Sequence, residues 1–395
     1  MSRPSLLERV ALNHAERANA QLLRRLRTIE HSNAVRVTLD GKELISFCSN
    51  DYLGLANHPD VIATLKSVAD KQGVGSTAAH LICGHRREHV QLEEEIADWV
   101  QRPRALLFST GYMANLGVLS ALLQPGDLCV QDKLNHASLL DGARLAGAEL
   151  KRYRHNDVDA AARQLATRPE TPALLATDGV FSMDGDVAPL IELANLCQST
   201  KVTFMVDDAH GLGVFGDEGK GSAHAAGLST DDVPILMGTL GKAVGTFGAF
   251  VVGSEAFIEA LIQFSRTFIY TTAMPPALAS ATRTSIRIVR KENWRREKLN
   301  KLIQRFRQDA QQIGLPLLKS MSPIQPLVLG TAQAAISAAS QLEQYGFLVT
   351  AIRPPTVPDG SARLRITLSA AHEEEDVDRL LEALAKVIAN DDHAH

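Results

Sequence analysis

The run Val202-Thr-Phe-Met-Val-Asp-Asp-Ala-His-Gly211, followed by Ile235-Leu-Met-Gly-Thr-Leu-Gly-Lys242, decides the fold. Each is a short apolar strand that ends in chemistry: Asp207 and His210 close the first, Lys242 the second. Strands this apolar lack the alternation of a half-exposed sheet, so both their faces are buried, as in parallel sheets covered by helices. Such open sheets bind ligands in the crevice beyond the carboxyl ends of their strands. Asp207, His210 and Lys242 are therefore expected to share one crevice.

Reading outward, further strands are predicted at Ala105–Phe108, Leu128–Val130, Glu149–Tyr153, Ala173–Thr177 and Gly248–Val252. Helical patterns separate them from Pro59 to about residue 265, which predicts an α/β fold with a mainly parallel central sheet. Ahead of this unit, a charged, Leu-spaced helix is expected over residues 5–28. A hairpin follows, with Val35–Leu39 and Glu43–Phe47 flanking Asp40-Gly41, a two-residue turn signal. Behind it, Pro275-Pro276 opens a long helical stretch that continues through a basic segment, Trp294–Gln312. The end reads strand (Gln325–Leu329), helix (Ala332–Tyr345), strand (Leu348–Ala351), strand (Ala362–Leu368), helix (Glu373–Ala389). The expected division is an arm (1–55), a large domain (56–290) and a smaller α+β domain (291–395).

Composition narrows the function. The 395 residues carry 41 Lys plus Arg against 45 Asp plus Glu, a net charge of −4, and 45% are apolar. That is a globular enzyme's balance, and it argues against disorder and against nucleic-acid binding. Cys48, Cys83, Cys129 and Cys197 form no C-x-x-C pair and suggest a reducing cytoplasm. Glu8 and Arg9 fall where an export signal would need its apolar run. Ala105–Gly126 is uncharged and about as long as a membrane span, but Ser109, Thr110, Gly111, Asn115, Gly117 and Ser120 interrupt it. It reads as strand, turn and helix, and no membrane role is expected.

Three formal motifs are set aside. Gly211-x-Gly213-x-x-Gly216 runs into charged residues rather than the apolar helix of a dinucleotide site. His85-x-x-Glu88-His89 has no evident third zinc ligand, so no metal is expected. No P-loop precedes Gly241-Lys242. What remains is a lysine in an apolar, glycine-rich stretch and a carboxylate at a neighbouring strand end. An aldehyde cofactor explains both: the amine forms a Schiff base, and the carboxylate keeps a pyridine nitrogen protonated. Pyridoxal phosphate is that cofactor. Its phosphate needs N–H donors at a helix start, which Thr110-Gly111-Tyr112 provides where strand turns to helix, and Thr239 adds a hydroxyl. His136, in Asn135-His-Ala-Ser138 after another strand, is placed to stack on the ring.

Ser49-Asn-Asp-Tyr-Leu-Gly54, Asn135-His-Ala-Ser138, Gly179-Val-Phe-Ser-Met-Asp184, Asp207-Asp-Ala-His-Gly211 and Thr239-Leu-Gly-Lys242 together resemble the α-oxoamine synthase family. These are fold type I, aspartate aminotransferase-like pyridoxal phosphate transferases. The resemblance spans nearly the whole chain. It implies a decarboxylative condensation of an amino acid with an acyl thioester, by a homodimer in which Tyr270-Thr-Thr-Ala-Met-Pro-Pro276 reaches the neighbouring site. Thr350-Ala-Ile-Arg-Pro-Pro-Thr-Val-Pro358 and Asn156-Asp-Val158 are more similar to members using L-alanine and a pimeloyl thioester than to those using glycine. The thioester carrier is left open between coenzyme A and acyl carrier protein.

By the same resemblance Lys242 is the Schiff-base lysine, Asp207 the pyridinium partner, His210 a donor to the ring hydroxyl, and His136 the stacking residue that meets substrate. Ser182 joins the cofactor contacts, with Gly111, Tyr112 and Thr239 around the phosphate. Arg353 would bind the amino acid carboxylate and Thr356 would contact substrate. Arg24 would meet the acyl chain, with Arg25 and Arg27 as rivals. The segment Gly75–Gly84 departs from the pattern, lacking a second Gly and an Arg.

Overall fold

The structure is a computed structural model that describes residues 3, 5–20 and 22–392. The arm carries β1 (Ile29–Asn33), β2 (Arg36–Leu39) and β3 (Lys42–Ser46). β2 and β3 pair antiparallel through Asp40-Gly41, whose φ angles of 53° and 72° are those of the predicted hairpin turn. The predicted arm helix is shorter than its sequence pattern: it spans Leu6–Asn19 and buries no residue. Without a packed face a helix has little beyond propensity to extend it. After residue 21, tertiary contacts take over: the Leu23 carbonyl accepts from Arg353, and Arg27 pairs with Asp40 and Glu343. Arg24 therefore lies in an irregular segment, not on a helix.

The large sheet contains β4 (Arg104–Phe108), β5 (Leu128–Asp132), β6 (Glu149–Tyr153), β7 (Ala173–Asp178), β8 (Thr203–Asp207), β9 (Ile235–Thr239) and β10 (Ala249–Gly253). Their order is β4-β10-β9-β8-β7-β5-β6, with only β10 antiparallel to its neighbours. Alternate residues feed two cores. Leu106, Phe108, Met205, Met237 and Val251 face one layer, with Val118 and Leu119 of helix Gly111–Leu122. Leu107, Phe204, Val206, Leu236 and Phe250 face the other, with Trp99, Leu193 and Ile286. Each such side chain contributes about 1.5–3 kcal/mol on burial. Because the strands are parallel, Asp132, Asp178, Asp207 and Thr239 all emerge along one edge.

The carboxyl-terminal part holds β11 (Ile324–Gly330), β12 (Phe347–Leu348), β13 (Thr350–Ile352) and β14 (Ala362–Thr367). The single strand expected at Leu348–Ala351 is split. β12 runs parallel to β3 of the arm, while β13 joins β11 and β14 in a separate three-stranded sheet. Buried Val349 sits at the crossing between the two sheets, a change of partner that an unbroken apolar run conceals. The arm is thus stitched to the small domain: Phe47 N–H donates to the Leu348 carbonyl (2.9 Å) and Thr367 N–H to the Phe47 carbonyl (2.8 Å). No described helix is long and apolar enough to cross a membrane.

Candidate active site

The strand ends surround a cavity of about 150 Å³ lined by Gly111, Tyr112, Asn115, His136, Asp178, Val180, Ser182, Asp207, Ala209, His210, Met237, Thr239 and Lys242. All eight cofactor contacts expected from sequence line it. Asp207 ends β8 with two donors on its carboxylate: Ala209 N–H on Oδ1 (3.0 Å) and Asn115 Nδ2 on Oδ2 (2.7 Å). Lys242 follows β9, and burial pulls its ammonium below the usual lysine range, with Asp207 and Asp178 opposing that shift and Arg365 adding to it.

His210 is driven well below the ordinary histidine range by burial and by the positive Lys242 and Arg365. Its Nδ1 lies 2.6 Å from the Tyr52 hydroxyl, which burial pushes up to about 12 and so keeps protonated. The same hydroxyl also reaches Asn50 Oδ1 (3.2 Å); when it donates across the shorter contact to Nδ1, neutral His210 keeps its proton on Nε2, the nitrogen able to donate to a ring hydroxyl.

Gly111 and Tyr112 open helix Gly111–Leu122, capped by Thr110 Oγ1, which accepts from Met113 N–H (3.2 Å). The first main-chain bond is Ala114 N–H to the Thr110 carbonyl. Gly111 and Tyr112, whose N–H groups precede both of these bonds, line the cavity, where helix-start N–H groups suit an anion. Thr239 Oγ1 donates to the Gly248 carbonyl (3.1 Å) and must turn from it to serve a phosphate. His136 caps its own helix, and its N–H donates to both Asp178 oxygens (3.2 Å each).

Four further side chains belong to the site. Asp178 ends β7 fully buried, its carboxyl raised well above the usual range by desolvation and by Asp207. Like Asp207, it is an acid at the carboxyl end of a buried strand. Asn115, inside an apolar helix, and Tyr52, carried in by the arm, had no such signal. Arg365 of β14 is buried and donates to the Ser182 carbonyl (2.7 Å), Asn50 Oδ1 (3.1 Å) and Thr367 Oγ1 (3.1 Å). Among the described residues no carboxylate pairs with it, which is unusual for a buried charge.

Arg24, Arg353 and Thr356 do not line the cavity, but they meet one another. Arg24 Nη2 donates to Thr356 Oγ1 (3.4 Å), and Arg353 Nη2 to the Leu23 carbonyl (3.3 Å). Arg353 follows β13, whose Ile352 pairs with Arg363, and Arg363 bonds Asp184 of the Ser182 loop. Arg27 pairs with Asp40 (2.8 Å) and Glu343 (2.5 and 3.0 Å).

The donor set fits pyridoxal phosphate: an amine of lowered basicity, a fixed carboxylate, N–H groups at a helix start, an imidazole wall, and a buried Asn115 Oδ1 with no partner among the described residues. Among the described residues no group of three or more His, Cys, Asp and Glu side chains is arranged to hold a metal ion. Both nitrogens of His89, from the zincin-like motif, contact main-chain groups of Arg86 and Met274.

This fold and site define a fold type I pyridoxal phosphate enzyme. The chain belongs to the aminotransferase class I and II family, whose sequence profile matches residues 42–384. It is 58% identical over 358 residues to an 8-amino-7-oxononanoate synthase of Saccharophagus degradans, covering 90% of each chain. A Pseudomonas putida protein of the same name is 56% identical over 377 residues, covering 95% of this chain and 96% of that one. Among solved structures, the serine palmitoyltransferase of S. paucimobilis with a bound PLP–myriocin aldimine superposes with a TM-score of 0.92 at 29% identity, covering 97% of this chain and 98% of that one.

Proposed function

We propose that the protein condenses L-alanine with a pimeloyl thioester, giving 8-amino-7-oxononanoate, carbon dioxide and the free thiol carrier, a step of biotin biosynthesis. The observation that carries this reading is the convergence of Lys242, Asp207, His210 and His136 on one cavity, in a chain whose relatives at 56–58% identity bear that synthase's name. Pyridoxal phosphate supplies an aldehyde that captures the amino group and a ring that accepts electrons from the alanine Cα.

The protein's own groups do the rest. Asp207 holds a proton on the facing ring nitrogen, and His210 Nε2–H donates to the ring hydroxyl. Lys242, its basicity lowered by burial, has an available lone pair to take the Cα proton and later return it. His136 stacks on the ring and meets substrate, Ser182 completes the cofactor contacts, and Gly111, Tyr112 and Thr239 hold the phosphate.

Arg353 grips the alanine carboxylate, Thr356 contacts substrate and Arg24 meets the far end of the acyl chain. Their mutual contacts favour a shared substrate-side cluster formed by the arm (1–55) and the small domain (291–395) over the large domain (56–290). Buried, acid-free Arg365 with Asn50 is a second candidate for the carboxylate. The enzyme works as a homodimer in the cytoplasm, where its four free cysteines stay reduced, with coenzyme A or acyl carrier protein as thioester carrier. The test is thiol release from pimeloyl thioester with L-alanine. Wild type should turn over and Lys242→Ala should fall to background; turnover with glycine but not alanine would overturn the substrate assignment.

A further inference from the structure

Asn115 and Ser138 are both buried, and together they join Asp207 to His136. Asn115 Nδ2 donates to Asp207 Oδ2 (2.7 Å) and to Ser138 Oγ (2.8 Å), so both amide protons are used. Ser138 Oγ lies 2.7 Å from His136 Nδ1. Since this hydroxyl already accepts from Asn115, its own proton goes to Nδ1. The reverse, Nδ1–H donating to Ser138, would leave the hydroxyl proton without an acceptor. It would also set the Ser138 N–H, 3.4 Å from Nδ1, against another N–H. The chain therefore runs from amide to carboxylate on one side, and from amide to hydroxyl to imidazole on the other. The proton of neutral His136 is left on Nε2.

We propose that Asn115 and Ser138 are positioning residues that make the tautomer of His136 follow the charge of Asp207. An ionised Asp207 requires the amide nitrogen at Oδ2, because two oxygens 2.7 Å apart would have no proton between them. If the carboxyl gains a proton, the amide can turn over. Its oxygen then accepts from the Asp207 O–H and the Ser138 O–H, and Ser138 accepts from His136 Nδ1–H. Protons balance at every link, and none is gained beyond the one on Asp207. Asn115 Oδ1 has no other partner among the described residues, so Asp207 and Ser138 decide how the amide stands. The relay would present Nε2–H of His136 to the cavity when Asp207 is charged, and withdraw it when Asp207 is not.

This inference rests on the proposed roles of Asp207 and His136 for its catalytic meaning, but its measurement does not. ¹⁵N-histidine spectra of the full chain, with and without added pyridoxal phosphate, read the tautomer directly, with His136 assigned by its loss in His136→Gln. Wild type should show Nε2–H. Asp207→Asn imitates the neutral acid: its oxygen stays on the Ala209 N–H that now donates to Asp207 Oδ1 (3.0 Å), so its nitrogen faces Asn115 and turns the amide over. The Nε2–H to Nδ1–H ratio should then fall about tenfold, the worth of a neutral hydrogen bond. In a Ser138→Ala background the same change should have no effect on the ratio. A wild-type His136 protonated on Nδ1, or an Asp207→Asn spectrum unchanged at His136, would overturn the relay. Failure to take up pyridoxal phosphate would instead sink the proposed function, while spectra of the cofactor-free chain still decide the relay.

Discussion

His155 touches no substrate-side residue, yet it holds the loop that carries Ser182, and replacing it with Gln tests how much that hold is worth. Its Nδ1 faces Asp132 Oδ1 (3.1 Å) and its Nε2 faces Asp186 Oδ2 (2.8 Å), so both nitrogens must donate and the ring is an imidazolium. Burial alone would lower its pKa, but the hydrogen bonds to Asp132 and Asp186 outweigh burial and push it up to about 10. Asp132 ends β5, and the Asp186 carbonyl accepts from Phe181 N–H (3.0 Å), one residue from Ser182. Breaking a fully buried ion pair costs about 3–5 kcal/mol. Asp132 is 0% exposed but His155 and Asp186 are 26% and 27% exposed, so solvent screening reduces this to about 2–3 kcal/mol.

Unfolding entropy of about 2.1 cal/mol/K per residue over 395 residues gives roughly 0.8 kcal/mol per degree, hence a Tm about 3 °C lower for His155→Gln near pH 7. The pKa is raised in the folded state, so the stabilisation is full below about 6.5 and fades as pH rises through about 10. Calorimetry of both proteins near pH 7 and again above pH 10 should show the gap closing. No gap near pH 7, or an equal gap at both, would refute the reasoning.

Two other outcomes are expected. Arg353→Ala should weaken alanine binding about 10- to 150-fold, the worth of a charge-assisted hydrogen bond, whereas Arg24→Ala should leave alanine binding intact and raise the KM for the pimeloyl thioester. Substrate titrations separate them, and if Arg365→Ala rather than Arg353→Ala loses alanine, the carboxylate grip belongs to Arg365. Sedimentation of the active protein should show a dimer, given the exposed Tyr270 beside Thr271 and Thr272; an active monomer would contradict the shared site.

How much was legible in the sequence follows from what kind of contact each feature rests on. Six strands of the large sheet were visible because their apolar runs are short and bounded by turns; the seventh, β6 (Glu149-Leu-Lys-Arg-Tyr153), is a half-exposed edge strand with three charged residues. The chemistry was visible because Asp207, Lys242 and Thr110-Gly111-Tyr112 sit at or just after strand ends. Arg24 was placed on a helix that ends at Asn19, since the contacts ending it come from Arg353, over 300 residues away. Tyr52 and Arg365 escaped for the same reason: one reaches His210 from the arm, the other reaches the Ser182 loop from the small domain, and neither bond has a local pattern. Asn115 was visible only as a polar residue interrupting an apolar helix, and its two acceptors lie on other elements.

One physical cause, desolvation, sets the protonation of most of this site, and it acts in opposite senses on acids and bases. It lowers Lys242 and His210 and raises Asp178 and Tyr52, so burial drives all four towards their neutral forms. The lowered basicity of Lys242 favours its use as a base, and a neutral His210 beside a protonated Tyr52 has one ring N–H to donate. Asp207 instead receives hydrogen bonds from Asn115 and Ala209, and Arg365 gives them to Ser182, Asn50 and Thr367. The large domain thus provides the negative pole that a pyridinium needs. Under the proposed function, Arg365, braced by Asn50, would be the positive pole for a substrate carboxylate. If the proposed roles of Arg24, Arg353 and Arg365 hold, substitutions where residues 1–55 meet residues 291–395 should act on substrate affinity before they act on cofactor binding.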